Sequence, residues 1–530
     1  MMLAIWLRVL CLFDSFWVDE LHSTWVLFGQ TESYPSLIGR ATAGNQLPFW
    51  FWSLAIWDHM TLWLGSFWGV ESPSIEPRLR AFSVLLTSIA CGWTVFVMTR
   101  IHGTLSAGLT AGTLLAVDVN SIFFGTELRP YSGVILATVV MIDAIDRATG
   151  RELAGLMESA TTESESTSRA GSEYNARSSS LSLLRSPWQH SVVFKGEMGW
   201  WSVATIAVIL AVGCHLTSII TVGIGYAVAV VSSVHRQPRW SPIRAAMIAV
   251  IAAIVLVCFW LLRDTWAVRT QWRDFATLHS WSQLVSLWPW GIVLAPLALI
   301  TVVWQSHRLG ISDVWRPVRR QRIAIAIMLM TLFVATSAAA FVSWTGWVPV
   351  WHRRYLIAAL PVLMMLAACC LPKRWTAFAG VLLVIGLMWS QGTAASVLHG
   401  RGDWVHRHEN WREAFAWISQ SIDDGQPATV WIDPGLVEQS SVEFLAQTDS
   451  DSPKVAQYLT FVARGAYRLP ANTGVRLFRQ ADFDAYVSKT MSSWVLITRS
   501  KRSQMLTSAR RHSFGSIQVW TDPAFVVPGD

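Results

Sequence analysis

The feature that most limits this chain is a series of apolar segments, most of them close to the length of a bilayer crossing. They run at roughly 82–99, 104–122, 130–145, 201–234, 245–262, 284–303, 323–343, 355–371 and 375–391. A crossing helix needs about 20 mostly apolar residues, because lipid offers no partner to a backbone amide and each segment must pair its own. The segment 201–234 is too long for one crossing, and GCHLTS at Gly213 to Ser218 offers a turn in its middle. With that split the chain is expected to make about eleven crossings. Hydrophobic residues are 53% of the 530 and charged residues 14%, with mean hydropathy +0.40, which excludes a soluble globular chain.

Charge and tryptophan orient the segments. Arg236, Arg239 and Arg244, then Arg308, Arg316, Arg319, Arg320 and Arg322, then Lys373 and Arg374 sit in short loops on one side. The positive-inside rule makes that side cytoplasmic. Arg40, Arg78, Arg80, Arg263, Arg269, Arg273, Arg353 and Arg354 fall on the other side and need another reason to be there. The net charge of +7 is scattered through these loops, which fits anionic lipid headgroups and excludes nucleic acid as a partner. Many of the 32 Trp gather at segment ends, where an indole keeps its ring in the interface and its N–H wet. The six cysteines lie in or beside apolar segments, with no CxxC or Cys/His metal spacing.

The run from Leu3 to Trp17 is short for a crossing and contains Arg8. Two explanations stand: a start codon assigned late, or a tilted helix from which Arg8 snorkels. The outer loop 17–80 is too polar to span, and QLPFWFWSLAIWDHM within it is expected to form an amphipathic helix on the membrane surface. Residues 150–187, rich in Ser, Thr and Glu, read as a disordered cytoplasmic insert. The transmembrane unit is expected over 1–395 and a soluble α/β accessory domain over 396–530. That domain has a helix at Asn410 to Ser421, a strand at Thr429 to Asp433, a helix near Val437 to Ala446, and a late strand–helix–strand through WVLITR and SIQVW. By topology it lies outside the cytoplasm, as part of a multi-pass protein of the cell (inner) membrane.

Two adjacent acids, Asp19 and Glu20, follow the first apolar run at once. On a helix neighbours diverge by about 100°, so the pair can divide its tasks. One acid can act as base, while Glu20 is a candidate ligand for a divalent metal; the plain alternative is a solvated helix end. GTELRPYSG, Gly125 to Gly133, sits between apolar segments on the same side, and Pro130 can open the next helix. Arg129 can fork onto a phosphate and Tyr131 can donate a hydroxyl, whereas an Arg129/Glu127 ion pair anchoring a loop is the plain alternative. His215, Asp118, and the Arg353, Arg354 and Tyr355 of WHRRYLIAALP complete the candidates. Two arginines on the translocated side run against the charge bias and suit an anion.

In order, WVDE, QLPFWFWSLAIW, EPRLRAFSVLLTSIACG, TELRPYSGVILA, HLTS and HRRYLIAALP resemble the family 39 glycosyltransferases of the GT-C superfamily. This group includes the protein O-mannosyltransferases and the lipid A aminoarabinose transferases. The resemblance covers roughly 5–390. It implies that Asp19 is the base, and that Glu127, Arg129, Tyr131, Arg353, Arg354 and Tyr355 face a lipid-phosphate sugar donor. This chain departs from the family at Asn45-Gln46-Leu47-Pro48, where relatives have a His-Pro-Pro stretch, which puts a histidine role in that loop in doubt. At Thr126-Glu127-Leu128-Arg129-Pro130-Tyr131 relatives commonly read Gln-Glu-Ala-Arg-Pro-Tyr. The expected activity is inverting transfer of a sugar from a polyprenyl phosphate to a protein, lipid or polysaccharide acceptor at the outer face. The alternative is a transporter or flippase of lipid-linked sugars, which would favour repeated halves and broken helices; no internal repeat is visible.

Overall fold

The computed structural model describes residues 1–29, 33, 35–44, 46–69, 74–168, 197–236, 242–261, 263, 278–291, 319–373, 375–399, 408–423, 428–433, 453–470, 473–489, 493–499 and 509–523. The chain opens with helices α1 (Met2–Val9), α2 (Val18–Phe28), α3 (Leu37–Ala43), α4 (Pro48–Phe67), α5 (Ile75–His102), α6 (Leu105–Val117), α7 (Val119–Phe124), α8 (Tyr131–Ser168) and α9 (Glu197–Cys214). Later come Ile224–Arg236, Pro242–Leu261, Arg319–Trp344, Ala359–Cys369 and Thr376–Ser390, so the described chain is mostly helical.

Helix α5 is the pillar against which α1, α4, α6 and α8 pack. It ends at Gly103, whose left-handed φ of 84° is cheap only for glycine, and Thr104 then caps α6. Gly108 and Gly112 let α6 close on α5: a Cβ at Gly112 would sit 2.5 Å from the Val95 side chain. Near its far end Arg100 pairs with Asp143 and Asp146 of α8, about 30 Å along the axis from Arg80 at its beginning.

Three helical stretches among the described residues are long and apolar enough to cross a membrane: Ile75–His102, Leu216–Ser233 and Gln321–Trp344. Shorter apolar helices occupy Leu105–Val117, Met198–Cys214, Ala245–Leu261, Ala359–Cys369 and Thr376–Ser390. This is fewer than the expected eleven or so crossings, and the breaks explain part of the difference. The run 104–122 is cut where Asp118 turns to accept from Ser121 N at 2.9 Å and starts α7. The run 201–234 turns at His215, at the expected split, and the chain doubles back there, since Thr205 Oγ1 meets Tyr226 OH at 2.9 Å. Much of 284–303 lies outside the described residues.

Arg8 does not snorkel. It is fully buried and hydrogen bonds to Ala4 O, Ala116 O, Ser121 O and Ser121 Oγ. The break between α6 and α7 strands backbone carbonyls that a guanidinium can satisfy, so the cation ties α1 to that joint. Helix α8 runs to Ser168, into the stretch expected as an irregular insert; residues 169–187 of that insert lie outside the described residues. Helix α4 begins with Pro48 at its first turn and buries Trp50, Phe51 and Leu54, while Trp52, Ile56, Trp63 and Phe67 stay exposed. An apolar outer face on a helix of the 17–80 loop suits a membrane surface.

The tail forms a five-stranded sheet in the order β2-β1-β3-β5-β4, from β1 (Ala428–Ile432), β2 (Gly474–Leu477), β3 (Ser493–Arg499), β4 (Arg510–Phe514) and β5 (Ile517–Thr521). The first three are parallel, and β5 runs antiparallel to both β3 and β4. Between WVLITR and SIQVW the described residues hold strand β4, joined to β5 by a hairpin that turns at Gly515, φ 64°; the rest of that interval, 500–508, where a helix is expected, lies outside the described residues. Alternation sorts the faces. Val430, Ile432, Val495 and Ile497 join the large core with Trp411 and Phe415 of the helix Trp411–Asp423, while Trp431, Trp494 and Leu496 pack on Phe483 of the helix Gln480–Lys489. The helix expected near Val437 to Ala446 falls outside the described residues.

Candidate functional site

The adjacent acids part company at the start of α2. Trp17 is the N-cap, and Glu20 at the third helical position reaches back to Trp17 N at 3.4 Å. This puts Glu20 in the interior, where Arg80 Nε donates to Oε1 at 2.8 Å and Arg80 Nη2 donates to Oε2. Arg80 also satisfies the carbonyls of Cys11, Leu12, Asp14 and Ser15, so one guanidinium ties the end of the first apolar run to α5. Arg80 thus has a structural reason for its place.

Glu20 Oε1 also accepts from Leu128 N at 3.2 Å, and so helps to hold the 125–130 loop. Trp50 Nε1 donates to Leu128 O at 3.1 Å, and Ser83 Oγ to Glu127 O at 2.6 Å. A loop held from three helices sets where Arg129 projects.

Asp19 faces the other way. Its Oδ1 lies 3.1 Å from Arg129 Nη2 and its Oδ2 3.2 Å from Arg354 Nη1. One carboxylate therefore bridges two guanidiniums from segments far apart in the chain. Burial works to lower the Arg354 guanidinium, but the Tyr131, Asp19, Tyr355 and Glu127 groups outweigh it and hold it charged above its ordinary value. Tyr131 and Tyr355 flank His215 at ring-centroid distances of 5.6 and 5.7 Å. Thr217 Oγ1 donates to Tyr355 O at 3.1 Å, so at His215 Nδ1, 2.7 Å away, it accepts. A hydroxyl has one proton, so Nδ1 carries the ring hydrogen and Nε2 is left as an acceptor.

Of the sequence candidates, Asp19, Arg129, Tyr131, His215, Arg354 and Tyr355 come together. Arg353 turns away, to Asn120 Oδ1 at 3.4 Å and Ser286 O at 2.9 Å. Asp118 caps α7 and accepts from Gln391 Nε2 at 2.6 Å. Glu127 joins Glu20, Arg80 and Trp17 in the wall of a neighbouring cavity of about 350 Å³, closed on the tail side by His408, Glu409 and Asn410. Among the described residues no group of three or more His, Cys, Asp or Glu is placed to hold a metal ion. Asp19 and Glu20 have their oxygens engaged by guanidiniums.

The tail supplies residues that the sequence did not single out. Glu409 Oε2 accepts from Val18 N and from Trp411 Nε1, each at 2.9 Å. Tyr467 OH accepts from Phe16 N at 3.0 Å and donates to Glu76 at 2.8 Å, and Arg412 donates to Glu76 at 2.6 Å. Gly465 comes so close that a Cβ would meet Thr24 Oγ1 at 2.5 Å. Both flanks of the turn before Asp19 are thus held by the tail.

No family model and no curated protein matches the chain. Among solved structures, ArnT from Cupriavidus metallidurans bound to undecaprenyl phosphate aligns over 99% of this chain and 97% of its own, at 13% identity and a TM-score of 0.49. The chain is similar to ArnT along almost its whole length. The Archaeoglobus fulgidus oligosaccharyltransferase in complex with Zn and sulfate aligns over 89% and 61%, at 11% identity and TM-score 0.33. The archaeal oligosaccharyltransferase AglB from the same organism, in complex with an inhibitory peptide and a dolichol-phosphate, aligns over 88% and 63%, at 11% and 0.35.

Proposed function

We propose that this chain is a membrane glycosyltransferase that moves a sugar from a polyprenyl-phosphate donor to an acceptor hydroxyl or amine at the outer face, with Asp19 as base. The observation that carries the proposal is the Asp19 carboxylate held between Arg129 and Arg354. Transfer needs a group to take the acceptor proton and cations to stabilise the departing phosphate, and both are assembled here.

When the donor phosphate enters, it competes for the two guanidiniums and releases the carboxylate from them. The acceptor oxygen or nitrogen then attacks the anomeric carbon as its proton passes to Asp19. The bond from that carbon to the phosphate oxygen breaks, and lipid phosphate leaves with its charge offset by Arg129 and Arg354. A single displacement of this kind inverts the anomeric centre. Tyr131 and Tyr355 supply hydroxyl donors, and His215 Nε2 an acceptor, on the same side. Glu20 and Arg80 position the acid turn, and Arg353 braces the mouth against Asn120 and Ser286. The tail, bonded to the flanks of α2, shares the extracytoplasmic side with Asp19.

The purified protein is incubated with radiolabelled polyprenyl-phosphate sugars and acceptor membranes, and release of free lipid phosphate is scored. Release by the wild type and none by Asp19→Asn, with normal insertion and accumulation, is the expected result. Full release by Asp19→Asn removes the base.

A further inference from the structure

Between the apolar helix that ends at Cys214 and the one that begins at Leu216, the chain turns at His215, outside both. Thr217 makes two bonds there with one hydroxyl. It gives its proton to Tyr355 O at 3.1 Å, and so accepts at His215 Nδ1, 2.7 Å away. The ring hydrogen sits on Nδ1, and Nε2 carries a bare lone pair to which nothing donates among the described residues. This nitrogen is not sealed in the core. His215 is half-buried, whereas His22 has both ring nitrogens buried and serves packing. Desolvation first, then the guanidiniums of Arg354 and Arg129, lowers the pKa of His215 from 6.5 to about 3, so the ring is neutral at physiological pH.

A lone pair that can only accept selects its partner. A phosphodiester has no proton at neutral pH and a polyprenyl chain has none to give, so neither the bridge nor the tail of a lipid-phosphate donor can meet Nε2. A sugar hydroxyl can. The placement suits one, because Tyr131, two residues after Arg129, and Tyr355, next after Arg354, flank the imidazole at 5.6 and 5.7 Å. The Arg354 guanidinium itself lies 5.9 Å from the Tyr355 ring centroid. A phosphate held by the two guanidiniums carries its sugar on the next bond, whereas the acceptor must meet Asp19 on the opposite face of the anomeric carbon.

We propose that His215 reads a hydroxyl of the donor sugar through Nε2, and that Thr217 is the positioning residue that fixes the ring hydrogen on Nδ1 so that Nε2 is left to accept. A donor without that hydroxyl would cover the lone pair and leave it unmet, and so bind several-fold more weakly. That the ligand is a sugar donor rests on the proposed transfer reaction; the place of the ring hydrogen does not.

The test titrates the full-length protein in nanodiscs, without acceptor, with polyprenyl-phosphate hexoses and pentoses and with the cyclohexyl ester of the same lipid phosphate, which has the ring and charge but no hydroxyl. The readout is the affinity of the tightest sugar lipid relative to the cyclohexyl ester, expected to be at least about threefold in the wild type. His215→Phe keeps a flat ring and Thr217→Val keeps the side-chain shape; each should lower this ratio at least about threefold, and Thr217→Ser should preserve it. If Thr217 only anchors the Arg354 segment, Thr217→Val weakens both lipids alike; that result, or a wild-type ratio near one, overturns the proposal. Nitrogen-15 spectra of the histidine rings, with the His215 signals identified by their loss in His215→Phe, should place the hydrogen on Nδ1 in the wild type and on Nε2 in Thr217→Val. Hydrogen on Nε2 in the wild type, or still on Nδ1 in Thr217→Val, overturns it as well. A chain that passes these tests yet releases no lipid phosphate in the transfer assay binds the sugar lipid without transferring it, so the two readings fail separately.

Discussion

Replacing Asp19 by Asn keeps the side-chain shape and removes the charge, and two opposite effects follow from the geometry. The proposed base is lost, and general-base catalysis contributes about 10²- to 10⁴-fold, so transfer should fall by that factor. The guanidiniums of Arg129 and Arg354, however, lose a competitor for phosphate. Asp19 is 24% exposed, Arg354 21% and Arg129 8%, so each pair is worth about 1 kcal/mol, near the top of the range for exposed pairs. Two pairs give about 2 kcal/mol, or roughly thirtyfold tighter binding of polyprenyl phosphate. Titrating the purified variant with polyprenyl phosphate in nanodiscs, beside a single-turnover transfer assay, reads both numbers. A slower but tighter-binding variant fits a base wedged between two phosphate ligands. If Asp19→Asn weakens lipid-phosphate binding, the carboxylate serves to organise the arginines; if more than about a tenth of the rate survives, it is not the base.

Glu20→Gln should leave Arg80 charged and buried without its carboxylate, costing about 3–5 kcal/mol in thermal unfolding followed by the tryptophans. A variant as stable as the wild type would remove Glu20 from the framework. Glu409→Ala strands the buried amide of Val18 and the indole of Trp411, so about 1–3 kcal/mol of stability and a large part of the transfer rate should be lost together; unchanged kcat would show that the tail does not hold the acid turn. His22 is buried against Trp25 and Phe461, and burial first, then Arg129, lowers its pKa from 6.5 to about 3, with Asp19 opposing. The unfolded ring therefore binds a proton below 6.5 that the folded ring refuses until about 3, so stability rises with pH across that window. The loss on acidifying is up to about 5 kcal/mol, and His22→Leu should flatten the unfolding profile there.

The parts of the candidate site that could be read from the sequence are those where residue type is at odds with position. An acid pair at the end of an apolar run, a Glu-x-Arg-Pro-Tyr loop and two arginines on the side where arginine is disfavoured each stand out, and Asp19, Arg129 and Arg354 touch in the fold. What the sequence leaves open is direction. Asp19 and Glu20, like Arg353 and Arg354, are chain neighbours whose side chains diverge, and the way each turns depends on partners far away: Arg80 draws Glu20 inward, while Asn120 and Ser286 O draw Arg353 away from Asp19. Arg8 is open for the same reason, since its distant acceptors, Ala116 O and Ser121, are brought to it at the joint where the helix ahead of Asp118 breaks. Glu409 and Tyr467 carry no local signal at all; they matter through bonds to backbone amides about 390 and 450 residues earlier, and no spacing rule reaches that far. The strand Arg510–Phe514 is obscured because a short charged stretch shows its strand nature only when paired with β5.

The bonds from Glu409 and Tyr467 to Val18 and Phe16 have a consequence for how the chain is made. A polytopic protein is threaded into the membrane from its first residues onward, so α2 emerges long before its supports are translated. At about 5–20 residues per second, the turn before Asp19 waits tens of seconds for the last quarter of the chain. A ribosome that stops early leaves this turn inserted without its partners, so completion of synthesis sets the moment at which the candidate site takes its final shape.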